Sequence, residues 1–68
     1  MEFNYESIND KLYEIHPNLS SYWSGISWDD KTATVTYDLE KGKECEVLIH
    51  IDGSYSVPKE LIEEMNEI

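Results

Sequence analysis

The chain contains no arginine, and its five lysines face fifteen aspartates and glutamates, a formal charge of −10 over 68 residues. A protein that grips nucleic acid through its phosphates needs clustered lysine and arginine to displace counterions. Direct nucleic-acid binding is therefore disfavoured, as is attachment to an anionic membrane surface. Cysteine occurs once, at Cys45, which excludes an intrachain disulfide and any zinc site built on several cysteines. No apolar stretch approaches the roughly 20 residues of a membrane-spanning helix. The opening Met-Glu-Phe-Asn-Tyr-Glu lacks the basic start and apolar run of a secretory signal. A lone thiol without such a signal is the pattern expected in a reducing cytoplasm. There the Asn18-Leu19-Ser20 glycosylation pattern has no meaning. No phosphate loop, calcium loop or other cofactor signature is recognisable, so no cofactor is expected.

Glycine and proline are also sparse, three and two residues, so each is informative about where the chain turns. What the sequence has in quantity is apolar and aromatic material: 40% hydrophobic residues, including two tryptophans, five tyrosines and one phenylalanine. That is too apolar for a disordered acidic tail. Large rings bury on the order of 150–250 Å² each, which helps at a length where a core is barely large enough. The expectation is a single folded domain spanning residues 1–68.

Tyr5, Ile8, Leu12, Ile15 and Leu19 recur at three- and four-residue steps and predict an amphipathic helix. Asn4 or Ser7 can supply its N-cap oxygen, and Ser7 with Asp10 has the spacing of a capping box. Pro17 disfavours helical geometry at His16 and should stop or kink the helix there. Pro17 can also open a short second turn through Asn18–Trp23, closed by Gly25. From Ile26 the period changes to two. Ile26 and Trp28, then Ala33, Val35 and Tyr37, then Cys45, Val47, Ile49 and Ile51, then Tyr55 and Val57 alternate with mostly polar neighbours, predicting four half-buried strands.

The turns fix the register, because opposed residues in an antiparallel pair share a face and a one-residue slip exchanges the faces. A three-residue loop Glu40-Lys41-Gly42 sets Tyr37 opposite Cys45, Val35 opposite Val47 and Ala33 opposite Ile49. Asp52-Gly53 looks like a two-residue hairpin loop, yet that register would pair Ile51 with Ser54 and mix the faces. Reading Ile51-Asp52-Gly53 as the loop pairs Ile49 with Tyr55 and Val47 with Val57. Both loops then end in a glycine suited to the left-handed conformation of a bulged turn. A two-residue Asp30-Lys31 loop or a four-residue variant pairs Trp28 with Ala33 and Ile26 with Val35. Pro58 suits the first position of a closing helix whose inner face is Leu61, Ile62, Met65 and Ile68. The predicted fold is α+β: an N-terminal helix, a four-stranded antiparallel meander and a C-terminal helix, with both helices on one face of the sheet.

The candidate partner-binding residues are carboxylates. Glu2, Glu6, Asp10 and Glu14 follow one another at four-residue steps, so on a helix they form a strip with roughly 6 Å between members. Like charges at this spacing cost a helix a few tenths of a kcal/mol per pair. Glu63, Glu64 and Glu67 crowd the end of the last helix, where the helix dipole favours cations. Carboxylates that weaken their own helices yet persist point to a surface role, and their spacing is of the order of the phosphate step along a DNA strand. A solvated face kept acidic for solubility is the plainer explanation of the same pattern.

The outward face of the sheet should carry Thr32, Thr34, Thr36, Glu46, Leu48 and His50, either as a sheet-stabilising threonine array or as a flat docking surface. Cys45 alternates inward and His50 outward, so the two cannot form a nucleophile–base pair, and Glu46 with His50 supplies too few ligands for a metal. His16 reads as a surface or helix-end residue. Trp28 reads as core, and Trp23 as either a seal over the helix–sheet junction or a partly exposed ring.

No catalytic constellation is present, so a non-enzymatic role is expected. The functional expectation is a small acidic protein-binding module, an inhibitor or nucleic-acid mimic that occupies a basic groove of a nucleic-acid enzyme. Its size and charge suit a phage or mobile element. The competing expectation is a structural or assembly module, forming a homodimer through an exposed sheet edge.

Overall fold

Asn4 starts the first helix. Its side-chain oxygen accepts the Ser7 backbone N–H at 2.8 Å, while the Asn4 N–H donates to the Ser7 hydroxyl at 3.0 Å. These reciprocal bonds form a capping box of Asn4 with Ser7, three residues earlier than the Ser7–Asp10 spacing suggests. In the computed structural model, which describes residues 2–39 and 42–68, helix α1 runs Tyr5–Ile15. It ends where the sequence demands: His16 is extended (φ −161°, ψ 129°) because the ring of Pro17 crowds a helical predecessor. Pro17–Ser20 then makes a 3-10 helix, shorter than the expected turn to Trp23. Gly25 does not close that turn; it is the first residue of β1.

Four strands follow: β1 (Gly25–Trp28), β2 (Thr32–Asp38), β3 (Glu44–His50) and β4 (Tyr55–Ser56). They form one antiparallel sheet in chain order, and α2 (Lys59–Asn66) closes the fold. The layout is the α+β arrangement read from the sequence. Tyr37 faces Cys45, Val35 faces Val47 and Ala33 faces Ile49. Trp28 faces Ala33, Ile26 faces Val35, and Ile49 faces Tyr55. Strand β4 ends at Ser56, so the expected Val47–Val57 pair lies beyond the ladder.

Each hairpin has a local cause. The Asp29 side chain accepts the Lys31 and Thr32 backbone N–H groups, both at 2.8 Å, and pre-folds the first turn. Those donors hold the Asp29 carboxyl below the usual carboxylate range. Asp52 does the same in the last turn, accepting from the Ser54 hydroxyl and backbone N–H, which lower its pKa in that order. Of the middle loop, Glu40 and Lys41 lie outside the described residues. The Leu39 N–H donating to the Lys43 carbonyl at 2.7 Å nonetheless leaves three residues between them.

Gly42 and Gly53 have φ of +73° and +95°, the conformation the face alignment requires. A Cβ at either position would meet nothing within 4 Å, so a substitution there costs backbone strain alone. Gly42→Val and Gly53→Val are each expected to lose about 1–2 kcal/mol in chemical denaturation. Gly25→Ala should come within about 0.5 kcal/mol of the parent, since Gly25 lacks a positive φ and its added Cβ finds only ordinary contact with Thr36. Unchanged stability at both Gly42 and Gly53 would overturn the strain account.

The core is one cluster: Ile8, Leu12, Leu19, Ala33, Val35, Tyr37, Cys45, Val47, Ile49, Leu61 and Met65. Every sheet residue in it is odd-numbered, as the two-residue strand period dictates. Both helices meet that side of the sheet. The Lys11 ammonium of α1 lies 5.4 Å from the ring centre of Tyr55, which faces Ile49, and Glu60 of α2 accepts from the Cys45 thiol at 3.5 Å. The opposite side, with Thr34, Thr36 and Leu48, contributes nothing to the cluster.

Several apolar residues depart from the expected core. Trp28 is 40% exposed because it ends an edge strand, and its ring meets exposed Tyr5 edge-to-face at 5.1 Å. Ile68 is also exposed, lying past the last turn of α2. Pro58 is the N-cap of α2 rather than its first helical residue. Trp23 takes the sealing role: it packs against the core and its indole N–H donates to Asn9 at 2.9 Å.

Candidate functional site

The period of α1 separates its charges from its core. Ile8 and Leu12 are buried, and Glu6, Asp10 and Glu14 all face solvent. Glu2 precedes the helix, so the four-residue row is helical only from Glu6 onward. Glu6 occupies the first turn, where the dipole favours an anion. Asp10 and Glu14 gain nothing comparable, and no basic residue stands in the last turn. Lys11 and Glu14 approach at 3.7 Å, the one lysine–carboxylate pair among the described residues. It is exposed on the glutamate side, so it contributes only a fraction of a kcal/mol and leaves the strip acidic.

The carboxylates of α2 are split. Glu63 is exposed, whereas Glu64 is half-buried and Glu67 is the C-cap residue. Glu64 and Glu67 line a groove of about 300 Å³ together with Tyr22, Tyr37, Asp38, Leu39, Met65 and Ile68. Tyr22, Asp38 and Leu39 are the residues that sequence reading missed. They come from the link after the 3-10 helix and from the end of β2, and no local spacing connects them to α2. Tyr22 stands beside Trp23 between serines, and nothing in the sequence says which of the two adjacent rings turns outward.

His16 anchors this corner. Its Nδ1 accepts the Asn18 backbone N–H at 3.2 Å, so in the neutral ring the proton sits on Nε2, which lies 2.8 Å from the Asn66 side-chain oxygen. The Asn18 side chain donates to the Met65 carbonyl at 2.9 Å, a stronger bond than the 3.5 Å one that carbonyl accepts from the Ile68 N–H, and it ties this corner to the end of α2. The Tyr37 hydroxyl, beneath them, donates to the Leu19 carbonyl at 2.6 Å.

Cys45 and His50 lie on opposite faces of β3 and have separate partners. The thiol bonds Glu60, and the imidazole Nδ1 is 3.4 Å from the Thr32 hydroxyl. Burial first, and then the Glu60 hydrogen bond and charge, raise the Cys45 pKa, the opposite of what activates a nucleophilic thiol. Among the described residues no three His, Cys, Asp or Glu side chains gather as metal ligands, and no helix is long and apolar enough to cross a membrane. The outer sheet face is hydroxyl-rich: Ser27, Thr34, Leu48 and Ser56 align across all four strands. No protein-family model, curated protein or solved structure gives a significant match to this chain.

Proposed function

We propose that this protein is a small acidic protein-binding module whose partner presents a basic surface, such as the nucleic-acid groove of an enzyme that it would occupy as an inhibitor. The observation that carries this reading is the exposed Glu6–Asp10–Glu14 strip, held on a capped helix by a core it does not share and left nearly free of compensating lysines. Such a surface raises the rate of encounter with a basic partner and repels anionic ones. The role requires no catalytic group.

The combined substitution Glu6→Gln, Asp10→Asn, Glu14→Gln tests it. Folding should be preserved or slightly improved, since like-charge neighbours are removed. A partner captured from host extract with the parent protein, then titrated against both forms, should bind the variant about tenfold more weakly at low salt, with a flatter salt dependence. Equal affinities for parent and variant at low and high salt would sink the reading.

A second reading has its own support at β1. The Asp29 N–H to Thr32 carbonyl bond at 3.0 Å sets the ladder alternation, so the main-chain groups of Ile26 and Trp28 point away from β2. Next to the half-exposed Trp28 ring, that edge suits sheet extension with a second copy. Sheet-edge pairing would appear as a concentration-dependent dimer insensitive to the α1 substitutions.

A further inference from the structure

We propose that the groove beside the end of α2 seats one arginine side chain presented by the basic partner. This deepens the acidic-module reading and rests on it. The groove has two kinds of wall. Tyr22, Leu39, Met65 and Ile68 give it apolar surface, and Asp38, Glu64 and Glu67 give it carboxylates. At about 300 Å³ it stands at the small end of ligand pockets, which span roughly 300–1,000 Å³, a scale suited to a single side chain.

Its charge is of one sign. The last turn of α2 holds no basic residue, and the negative end of the helix dipole opens on the same corner. Glu64 is half-buried at the groove wall, and the one lysine–carboxylate pair among the described residues lies elsewhere, on α1. A cation entering from outside would complete it. Tyr22 decides between the two natural cations. The residue is 52% exposed and lines the groove, so its ring can offer a face to a flat guanidinium, and arginine can stack there while its fork engages carboxylates. An ammonium matches the charge but neither the stacking nor the fork.

The test uses isotope-labelled protein titrated with N-acetyl-arginine amide and with its neutral isostere N-acetyl-citrulline amide, followed by amide chemical shifts. The arginine probe should give saturable shifts centred on Tyr22, Leu39, Met65 and Ile68, and citrulline should bind roughly tenfold more weakly. Tyr22→Ala and Glu64→Gln, both at the surface, should each weaken the arginine response several-fold. Equal binding of citrulline, or arginine shifts that follow α1 and bypass the groove, would overturn the proposal. An oligo-arginine peptide separates this failure from that of the parent reading. Salt-dependent binding of the peptide that neither groove substitution alters would remove the groove and leave the acidic module standing. No binding of the peptide even at low salt would remove both.

Discussion

Above pH 10, Tyr37 by itself is expected to destabilise the domain by about 1.4 kcal/mol for each further unit, and Tyr37→Phe is expected to remove that share of the pH slope. Tyr37 is 1% exposed, its hydroxyl donates to the Leu19 carbonyl, and burial pushes its pKa well above the ordinary value of 10.0. Once the pH passes 10, the unfolded chain releases a proton that the native chain still holds. The native state then binds more protons, so stability falls as pH rises, until the folded-state pKa is reached. Cys45 acts in the same direction from about pH 9, because burial first, and then Glu60, raise its folded pKa above the ordinary thiol value of 9.0. Denaturant titrations of the parent, Tyr37→Phe and Cys45→Ala between pH 8 and about 12 would separate the two groups. At neutral pH the phenylalanine variant should itself lose about 1–3 kcal/mol, having orphaned the Leu19 carbonyl. Parallel pH slopes above 10 for parent and Tyr37→Phe would refute the assignment.

Leu12→Ala should be strongly damaging, as should truncation of the equally buried Ile8. Leu12 is fully buried in the one cluster that joins the helices to the sheet. Removing its side-chain branches forfeits transfer free energy and leaves a cavity, about 2–5 kcal/mol in total. At roughly 0.05–0.15 kcal/mol per residue, the whole domain has only about 3–10 kcal/mol to lose. The loss is therefore expected to consume a large fraction of the total stability. Tyr13→Ala, an exposed position one residue along, should stay within about 0.5 kcal/mol. Urea unfolding with an unchanged m value would measure both, and a loss below about 1 kcal/mol at Leu12 would show that the core tolerates the cavity.

What could be read from the sequence was whatever depends on near neighbours. The switch from a helical to a two-residue period at Ile26 located the helix and strands, since each period projects one face. Face matching across Gly42 and Gly53 fixed two registers, even against the habit of treating Asp52-Gly53 as a two-residue turn. Trp28 was misread because alternation tells which side of a sheet a residue takes, but not whether another strand or helix continues past it. Tyr5 and Ile68 fail likewise: they continue an apolar stripe beyond the point where the sheet stops covering it. The Glu6–Asp10–Glu14 strip was legible because one helix makes it. The groove was not, since it brings together residue 22, the end of β2 and the end of α2, whose meeting is set by tertiary packing. Nothing local announced that Asn18 and His16 would reach across to Met65 and Asn66.

Helix α2 has consequences for motion. It is eight residues long, its N-cap Pro58 makes no side-chain cap bond, and its last turn carries acids where the dipole favours cations. A helix this short has too little intrinsic stability to persist alone. It is helical because Leu61 and Met65 are seated in the core and because Asn18, His16 and Cys45 hold polar groups along it. Undocking and melting of α2 are therefore expected to be one event, a partial opening that hydrogen exchange at Leu61 and Met65 would detect as a free energy below that of global unfolding. Glu64, Glu67, Met65 and Ile68 leave the groove in that opening. A ligand there selects the docked population, and its apparent affinity is scaled by the fraction of molecules in which α2 is closed.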